Sequence, residues 1–323
     1  MYFGYLLGRI SHPIKLFNNK LFLSILLLLV VEIFSSIFGA RPNVSVFGLP
    51  YRYQGLVTQI SYMLFTIIIL FSGNVYLRYI KFGGIGVSIL VMAEYLFFNS
   101  SRIVGVLGDS NFTGGYLALT MAYINNPILL SVITLAVFLT GSRSALLAVV
   151  VIILGKIYFK YKSLKITLFA VMVVLLPMIL WFPKRELSHF DNRQSIWTKG
   201  VEAGLMKPFL GYGVENFEVA FNSVLKQNDF DLKNIRVDKA HSELLEIFVN
   251  SGLVGLFLYV VTIVLTLKYS WDNKPVFLSL IGFLVISNLN VVSINEYIFF
   301  YLAVGSAIKL NSPQRSLEHS MFI

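Results

Sequence analysis

The sequence has 323 residues, of which 57% are hydrophobic and 13% charged. A soluble domain carries roughly 25% charged residues, so this composition excludes a soluble globular protein. The net charge of +10 would suggest a nucleic-acid partner for a soluble protein. In a membrane protein the Lys and Arg of cytoplasmic loops explain it, and we expect no nucleic acid. The absence of cysteine excludes disulfides, thiolate metal sites and a cysteine nucleophile.

Apolar runs along the chain predict ten transmembrane helices. The longer runs are long enough to cross the ~30 Å hydrocarbon core as helices, and they are continuous, whereas the strands of a transmembrane β-barrel would alternate. Pro127 divides the fourth span from the fifth, because proline ends one helix and starts the next. The predicted fold class is an all-α polytopic membrane protein. Its predicted spans are 21–38, 55–71, 82–98, 111–124, 128–140, 144–159, 164–182, 243–267, 276–291 and 297–308.

The distribution of cations orients these spans. Thirteen Lys and Arg lie in the segments on one side, and the short links on the other side carry four arginines, Arg41, Arg52, Arg102 and Arg143. The positive-inside rule then predicts both termini in the cytoplasm. We expect three parts: a membrane domain of seven spans (1–182), a large extracytoplasmic loop between spans seven and eight (183–241), and a membrane part of three spans with a short cytoplasmic tail (242–323).

The predicted loop 183–241 is a long polar stretch in an apolar chain, with nine Lys and Arg and eight Asp and Glu. Its residues 191–206 have the spacing of an amphipathic helix on the membrane surface, with Trp197 at the headgroups. Arg193 would lie in the first turn of that helix, where a solvated charge is the simpler interpretation of this residue alone.

Arg143 lies in Gly141-Ser142-Arg143-Ser144, between two apolar spans. An ionisable residue near the bilayer is a functional hypothesis by default. The alternative is an interfacial anchor whose guanidinium reaches the headgroups. The residue alone favours neither interpretation.

His241 stands where the loop returns to the membrane. Asp238 is the expected N-cap, which would place His241 in the first helical turn. The positive end of the helix dipole would keep the imidazole neutral and able to accept a proton. Glu243 could orient the ring or contact a substrate. A structural hydrogen bond at the interface is the alternative, and it is favoured for a histidine considered alone.

Three further features carry less weight. Gly211-Tyr212-Gly213 is a glycine turn that would permit close backbone approach to a ligand. Asp229-Phe230-Asp231 has the spacing of a divalent-cation site, but no third ligand is indicated, and we expect no metal. Glu32 and Glu94 stand alone or near span ends, whereas a proton-coupled transporter usually carries paired acids within its spans.

Together, these motifs resemble the O-antigen ligase and O-antigen polymerase superfamily of bacterial membrane proteins. The resemblance covers residues 105–259 best, and the order of the motifs with the large loop between them makes the set fairly specific. The resembling stretches are Gly141-Ser142-Arg143-Ser144-Ala145-Leu146; Arg193-Gln194-Ser195-Ile196-Trp197 leading to Pro208-Phe209-Leu210-Gly211-Tyr212-Gly213 and Asn216-Phe217; and Ala240-His241-Ser242-Glu243-Leu244-Leu245-Glu246 leading to Ser251-Gly252-Leu253-Val254-Gly255. Weaker upstream matches are Gly108-Asp109-Ser110-Asn111 and Arg52-Tyr53-Gln54-Gly55.

The resemblance implies a metal-independent, inverting glycosyltransferase of the GT-C type in the bacterial inner membrane, without a cofactor. Its donor would be a glycan on undecaprenyl diphosphate, and its acceptor a hydroxyl of a polysaccharide, a lipid core or a protein. His241 would be the base, assisted by Glu243, and Arg143 and Arg193 would hold the diphosphate. Donor or acceptor contacts are expected from Arg52, Arg102, Tyr212 and Asn216. A flippase for the same lipid-linked glycan and a non-catalytic scaffold are the alternatives.

Overall fold

A computed structural model describes residues 16–72, 75–98, 103–163, 188–226, 229 and 236–311. Within these ranges the chain is helical and contains no strand, which confirms the all-α prediction. A 3₁₀ turn, Met121–Tyr123, follows the fifth helix. In chain order the helices are α1 (Lys20–Ile37), α2 (Pro42–Phe47), α3 (Leu56–Phe71), α4 (Val75–Phe98), α5 (Ser110–Thr120), α6 (Pro127–Thr140), α7 (Arg143–Tyr161), α8 (Ser188–Met206), α9 (Phe217–Ser223), α10 (Glu243–Ser270), α11 (Lys274–Ser287) and α12 (Ile294–Leu310).

Four of these helices are long and apolar enough to cross a membrane: α1, α4 from Tyr76, α7 and α10. Shorter apolar helices, α3, α6 and α11, coincide with three more predicted spans. The predicted spans 111–124 and 297–308 overlap α5 with its 3₁₀ turn and α12. The predicted span 164–182 lies outside the described residues. The chain is therefore a helical membrane protein, and the count of ten spans stays a prediction.

Residues with suitable side chains or backbone conformations begin and end these helices. The Asn19 side chain accepts from the backbone N–H groups of Leu21 and Phe22, which caps α1. Asn126 caps α6, which begins at Pro127, so the predicted division of the apolar run at this proline is confirmed. Gly141 ends α6 with a left-handed conformation.

The bundle brings one end of several helices together. Ser35 on α1 donates to the carbonyl of Asn250 on α10 at 2.5 Å, and Thr262 donates to Ser24 at 3.1 Å, so α1 and α10 run antiparallel. The Gln54 side chain, before α3, donates to the carbonyl of Val292, before α12, at 2.9 Å. The C-terminus of α1 and the N-termini of α3, α10 and α12 thus share one end of the bundle, which we call the site end.

Helix α10 is broken at Gly252, whose φ of 68° is left-handed. The break leaves the carbonyls of Val249 and Asn250 without helical partners, and they accept from the N–H groups of Tyr212 at 2.9 Å and Gly213 at 2.8 Å. The loop between α8 and α9 therefore satisfies the backbone of a discontinuous membrane helix. The predicted span 243–267 lies within α10, and its break at Gly252, which the hydrogen bonds from the loop permit, was not predicted from the sequence.

This packing also explains the glycine turn. A Cβ added at Gly211 would lie 2.5 Å from the carbonyl carbon of Asn250, and one at Gly252 would overlap the carbonyl oxygen of Phe209. These glycines allow the loop backbone to lie directly on α10. The backbone of the turn thus lies against a helix, whereas the sequence suggested that it would approach a ligand.

Gly252→Ala should destabilise the protein more than Gly108→Ala. Both glycines have positive φ, so both substitutions cost about 1–2 kcal/mol for the left-handed backbone. A Cβ at Gly252 also meets Phe209, whereas a Cβ at Gly108 meets no atom within 4 Å, and overpacking adds about 1–3 kcal/mol. Thermal unfolding of both variants in detergent measures the difference; equal melting temperatures would contradict the close packing of the loop on α10.

Candidate functional site

A small pocket lies at the site end of the bundle, beside the first residues of α10. It is built from the end of the loop, the start of α10 and the residues that join α11 to α12. Its lining residues are Gln54, Lys239, His241, Ser242, Glu243, Glu246, Asn290, Val291, Val292 and Tyr297. Two predicted site residues, His241 and Glu243, therefore line the same pocket.

His241 has a left-handed backbone, with φ 53°, and stands two residues before α10, whose N-cap is Ser242. The expected N-cap at Asp238 was wrong, and so was the position of His241 in the first helical turn. The Asp238 carboxylate is instead bound by the Arg52 guanidinium at 2.6 Å and by the Tyr51 hydroxyl at 3.2 Å. A non-glycine residue with positive φ is strained, and such strain is found preferentially at functional sites.

The imidazole of His241 is neutral near pH 7. Burial, together with the nearby cations Arg193 and Arg52, lowers its pKa to about 4, against the opposing effect of Asp238. Desolvation and these cations, rather than a helix dipole, are the main causes. The Nδ1 atom is buried and has no hydrogen-bond partner in the described part of the chain.

Arg193 connects His241 to Arg143. Its guanidinium donates to the carbonyl of Leu289 at 2.9 Å. Burial lowers the pKa of Arg193, and the charge of Arg143 lowers it further, while Arg193 itself acts on His241. Arg143 begins α7 and is exposed. The fold thus brings these three predicted residues to the same end of the bundle, although they lie far apart in sequence.

The other expected contact residues have different positions. Arg52 is paired with Asp238 beside His241, and Arg102 lies outside the described residues. Tyr212 and Asn216 are buried, and neither lines the pocket. The Asn216 amide donates to the Ser45 hydroxyl at 2.7 Å, and the Tyr212 hydroxyl shares a 3.4 Å hydrogen bond with Ser223. The Asn216 contact therefore joins the loop to α2, and the Tyr212 side-chain contact lies within the loop.

A buried ion network supports the pocket. The Lys239 ammonium lies 2.5 Å from a Glu215 carboxylate oxygen and 3.2 Å from one of Glu246. Glu246 also accepts from the backbone N–H of Ala240 at 2.8 Å. The carboxylates raise the pKa of Lys239 above its usual value despite its burial. Sequence patterns did not identify Lys239 or Glu215, because no periodicity relates two loop residues 24 positions apart.

The predicted partner of His241 makes a different contact. The Glu243 carboxylate accepts from the Tyr297 hydroxyl on α12, and Glu243 and Tyr297 both line the pocket. At the weak metal motif, the Asp229 carboxylate pairs with Lys199 at 3.1 Å and accepts from the backbone N–H of Lys226 at 2.7 Å. Asp231, the second acid of that motif, lies outside the described residues.

A comparison with protein families finds a match over the region around this pocket. Residues 128–260 match the family model described as O-antigen ligase. Over these residues the chain is similar to that family. The match confirms the predicted resemblance to the O-antigen ligase and polymerase superfamily. It extends from α6 through the break in α10 and includes Arg143, Arg193 and His241. A search of curated proteins found no match to the chain.

Because of His241, the folded protein should become less stable as the pH is lowered through the acid range. Its folded pKa of about 4 lies below the usual ~6.5, so between these values the unfolded chain binds the extra proton. The stabilisation is present above pH 6.5 and is lost as the pH falls towards 4, by roughly 3 kcal/mol at most. Melting curves from pH 4 to 8 should therefore be steeper in pH for the wild type than for His241→Gln. Parallel curves would show that the histidine is not buried in its neutral form.

Proposed function

We propose that this protein transfers a glycan from undecaprenyl diphosphate to an acceptor hydroxyl, by a metal-independent displacement that inverts the anomeric carbon. The observation that carries the proposal is a neutral, half-buried His241 close to Arg193, which in turn lies close to Arg143, in a region similar to the O-antigen ligase family. A base and fixed cations at one membrane face are what this transfer requires.

The reaction follows from these groups. His241 takes the proton of the acceptor hydroxyl, and the hydroxyl oxygen attacks the anomeric carbon of the donor. As that carbon–oxygen bond forms, the bond from the carbon to the phosphate oxygen breaks, and its electron pair leaves with undecaprenyl diphosphate. Arg143 and Arg193 stabilise the charge that develops on the leaving group. The glycan is thereby moved without a covalent intermediate.

Donor binding should strengthen the base. Arg193 lowers the pKa of His241 in the free protein. A diphosphate bound to Arg193 would offset that positive charge, because an opposite charge nearby favours the protonated imidazole. His241 would then accept a proton more readily when the donor is present. Such coupling would also restrict the chemistry to the loaded enzyme.

The two ends of the bundle support an extracytoplasmic site. At the end opposite the site, the Lys156 ammonium binds the carbonyl of Ile124 at 2.8 Å, and Lys309 binds that of Ser72 at 2.9 Å. Near the pocket, Lys239 is paired with Glu215 and Glu246, and the short links on this side carry four arginines. The thirteen Lys and Arg on the opposite side outnumber them, which fits the positive-inside rule with the site end outside. The proposal includes a bacterial inner membrane, ten GT-C-like spans, cytoplasmic termini and the predicted parts 1–182, 183–241 and 242–323.

His241→Ala should abolish glycan transfer, because the acceptor hydroxyl would lose its base. The measurement is product formation by purified protein with undecaprenyl-diphosphate glycan and acceptor in one detergent phase, where a flippase would make no product. Membrane insertion should be normal, and the donor should accumulate in cells. His189→Ala, a change of another loop histidine, is the control. Normal product formation by His241→Ala would show that His241 is not the base.

Arg143→Lys and Arg193→Lys should each lower kcat/KM for the donor, by about tenfold or more, because lysine cannot form the two-pronged contact to a phosphate. Arg236→Lys is the matched control, since Arg236 is exposed and paired with Glu218 at 2.9 Å. The measurement is steady-state kinetics with the lipid-linked donor varied. Wild-type donor kinetics in both lysine variants would argue against a diphosphate site at these arginines.

A further inference from the structure

Helix α8 contacts two of the segments that form the His241 pocket. Arg193 and Trp197 are four residues apart on this helix, so they lie on the same face, one turn from each other. The Arg193 guanidinium donates to the carbonyl of Leu289 at 2.9 Å, directly before three residues that line the pocket. The indole N–H of Trp197 donates to the carbonyl of Ala240 at 2.9 Å, directly before His241. One helix therefore carries a cation for the donor and a hydrogen bond to the segment of the base.

The hydrogen bond to Ala240 holds the peptide group that precedes His241. A peptide unit is planar, so the direction of the Ala240 carbonyl relative to the imidazole depends on the φ of His241. That φ is 53°, in the left-handed region that a residue with a Cβ occupies only where its surroundings hold it. Trp197 holds the carbonyl, and Glu246 accepts from the Ala240 N–H at 2.8 Å. Side chains from two different helices thus maintain the conformation of the base.

Helix α8 is packed closely enough to be a firm support. Ile196, the neighbour of Trp197, belongs to the same buried apolar cluster as Ala240. Further along the helix, a Cβ added at Gly204 would overlap the ring of Phe248, so the glycine allows α8 to lie directly against α10. A side chain on a packed helix is held more precisely than one on a loop.

The position of its N–H distinguishes Trp197 from a membrane anchor. The sequence predicts Trp197 at the lipid headgroups, where an indole N–H would bond to water and headgroup oxygens. The N–H instead donates to Ala240, a residue that is fully buried. The bond therefore restrains the protein backbone beside the proposed base.

We propose that Trp197 is a positioning residue, which holds His241 at a fixed separation from the arginines that bind the donor diphosphate. The proposal rests on the proposed function and assigns to it a residue that acts through His241. Because Arg193 and Trp197 belong to one helix, the leaving group and the base are referred to the same support. The activated acceptor oxygen then meets the anomeric carbon in line with that leaving group. A misplacement of about 1 Å can cost roughly a hundredfold in rate.

The test replaces the indole N–H of Trp197 by sulfur. Benzothienylalanine has the shape of tryptophan without the N–H, so it removes the hydrogen bond and keeps the packing. We expect kcat to fall about tenfold or more because the base is less well placed, and the donor KM to stay unchanged because Arg193 is intact. Fluorotryptophan at the same position retains the N–H and should keep the wild-type kcat. Steady-state kinetics of the purified full-length protein, with donor and acceptor varied in turn, measures these constants.

Trp271 offers the matched control. It lies at the other end of α10, where its ring packs against Phe159 and Phe277, so the sulfur analogue there should leave kcat unchanged. Melting temperatures in detergent are measured for every variant. Four outcomes would each overturn the proposal: an unchanged kcat for the sulfur analogue at Trp197, a raised donor KM without loss of kcat, an equal loss with fluorotryptophan, or unfolding that accounts for the lost activity.

The imidazole of His241 gives a result that needs no turnover. In NMR spectra of protein with isotope-labelled histidine and no donor, the His241 signals are those absent from His241→Gln. They should shift with the sulfur analogue at Trp197 and not with the one at Trp271. If they shift but His241→Ala still makes normal product, the proposed function fails and the contact that orients His241 remains. If His241→Ala is inactive but neither kcat nor these signals respond to the lost N–H, the positioning role fails and the function remains.

Discussion

The structure depends most on the burial of one cation between two anions. Lys239 lies with Glu215 and Glu246 at the edge of an apolar bundle, where an uncompensated charge would be costly. The three residues come from the end of the loop, from the segment after the glycine turn and from α10. Their pairing joins these three parts at one point. Glu246 also holds the N–H of Ala240, so the network positions the residue that precedes His241.

A second constraint is the backbone of the broken helix. A carbonyl in an apolar environment needs a donor, and α10 loses its own donors at Gly252. The loop supplies them through Tyr212 and Gly213, which seats the polar loop on the membrane part. The ion network and these backbone bonds therefore act together: one fixes the end of the loop, and the other fixes its middle.

These contacts place His241 between two regions of opposite charge. On one side lie Arg193 and Arg143, to which we assign the donor diphosphate; on the other side lie carboxylates and tyrosines. Desolvation keeps the imidazole between them neutral. The proposed mechanism therefore depends on this distribution of charge around His241.

The amino-acid sequence by itself determined the helical membrane class, because long apolar runs have no other stable arrangement in a bilayer. It also predicted Arg143 and His241 as site residues, because an ionisable residue beside an apolar span is conspicuous in a chain with few charges, and Arg193 through the resemblance of its motif to the family. Only the tertiary structure decided which groups these residues meet. Asp238 binds Arg52 instead of capping α10, Lys239 pairs with an acid 24 positions away, and Glu32, which seemed isolated, lines a cavity with Glu243. Such contacts depend on how helices pack, and no local pattern of residues encodes the partner that a distant helix brings.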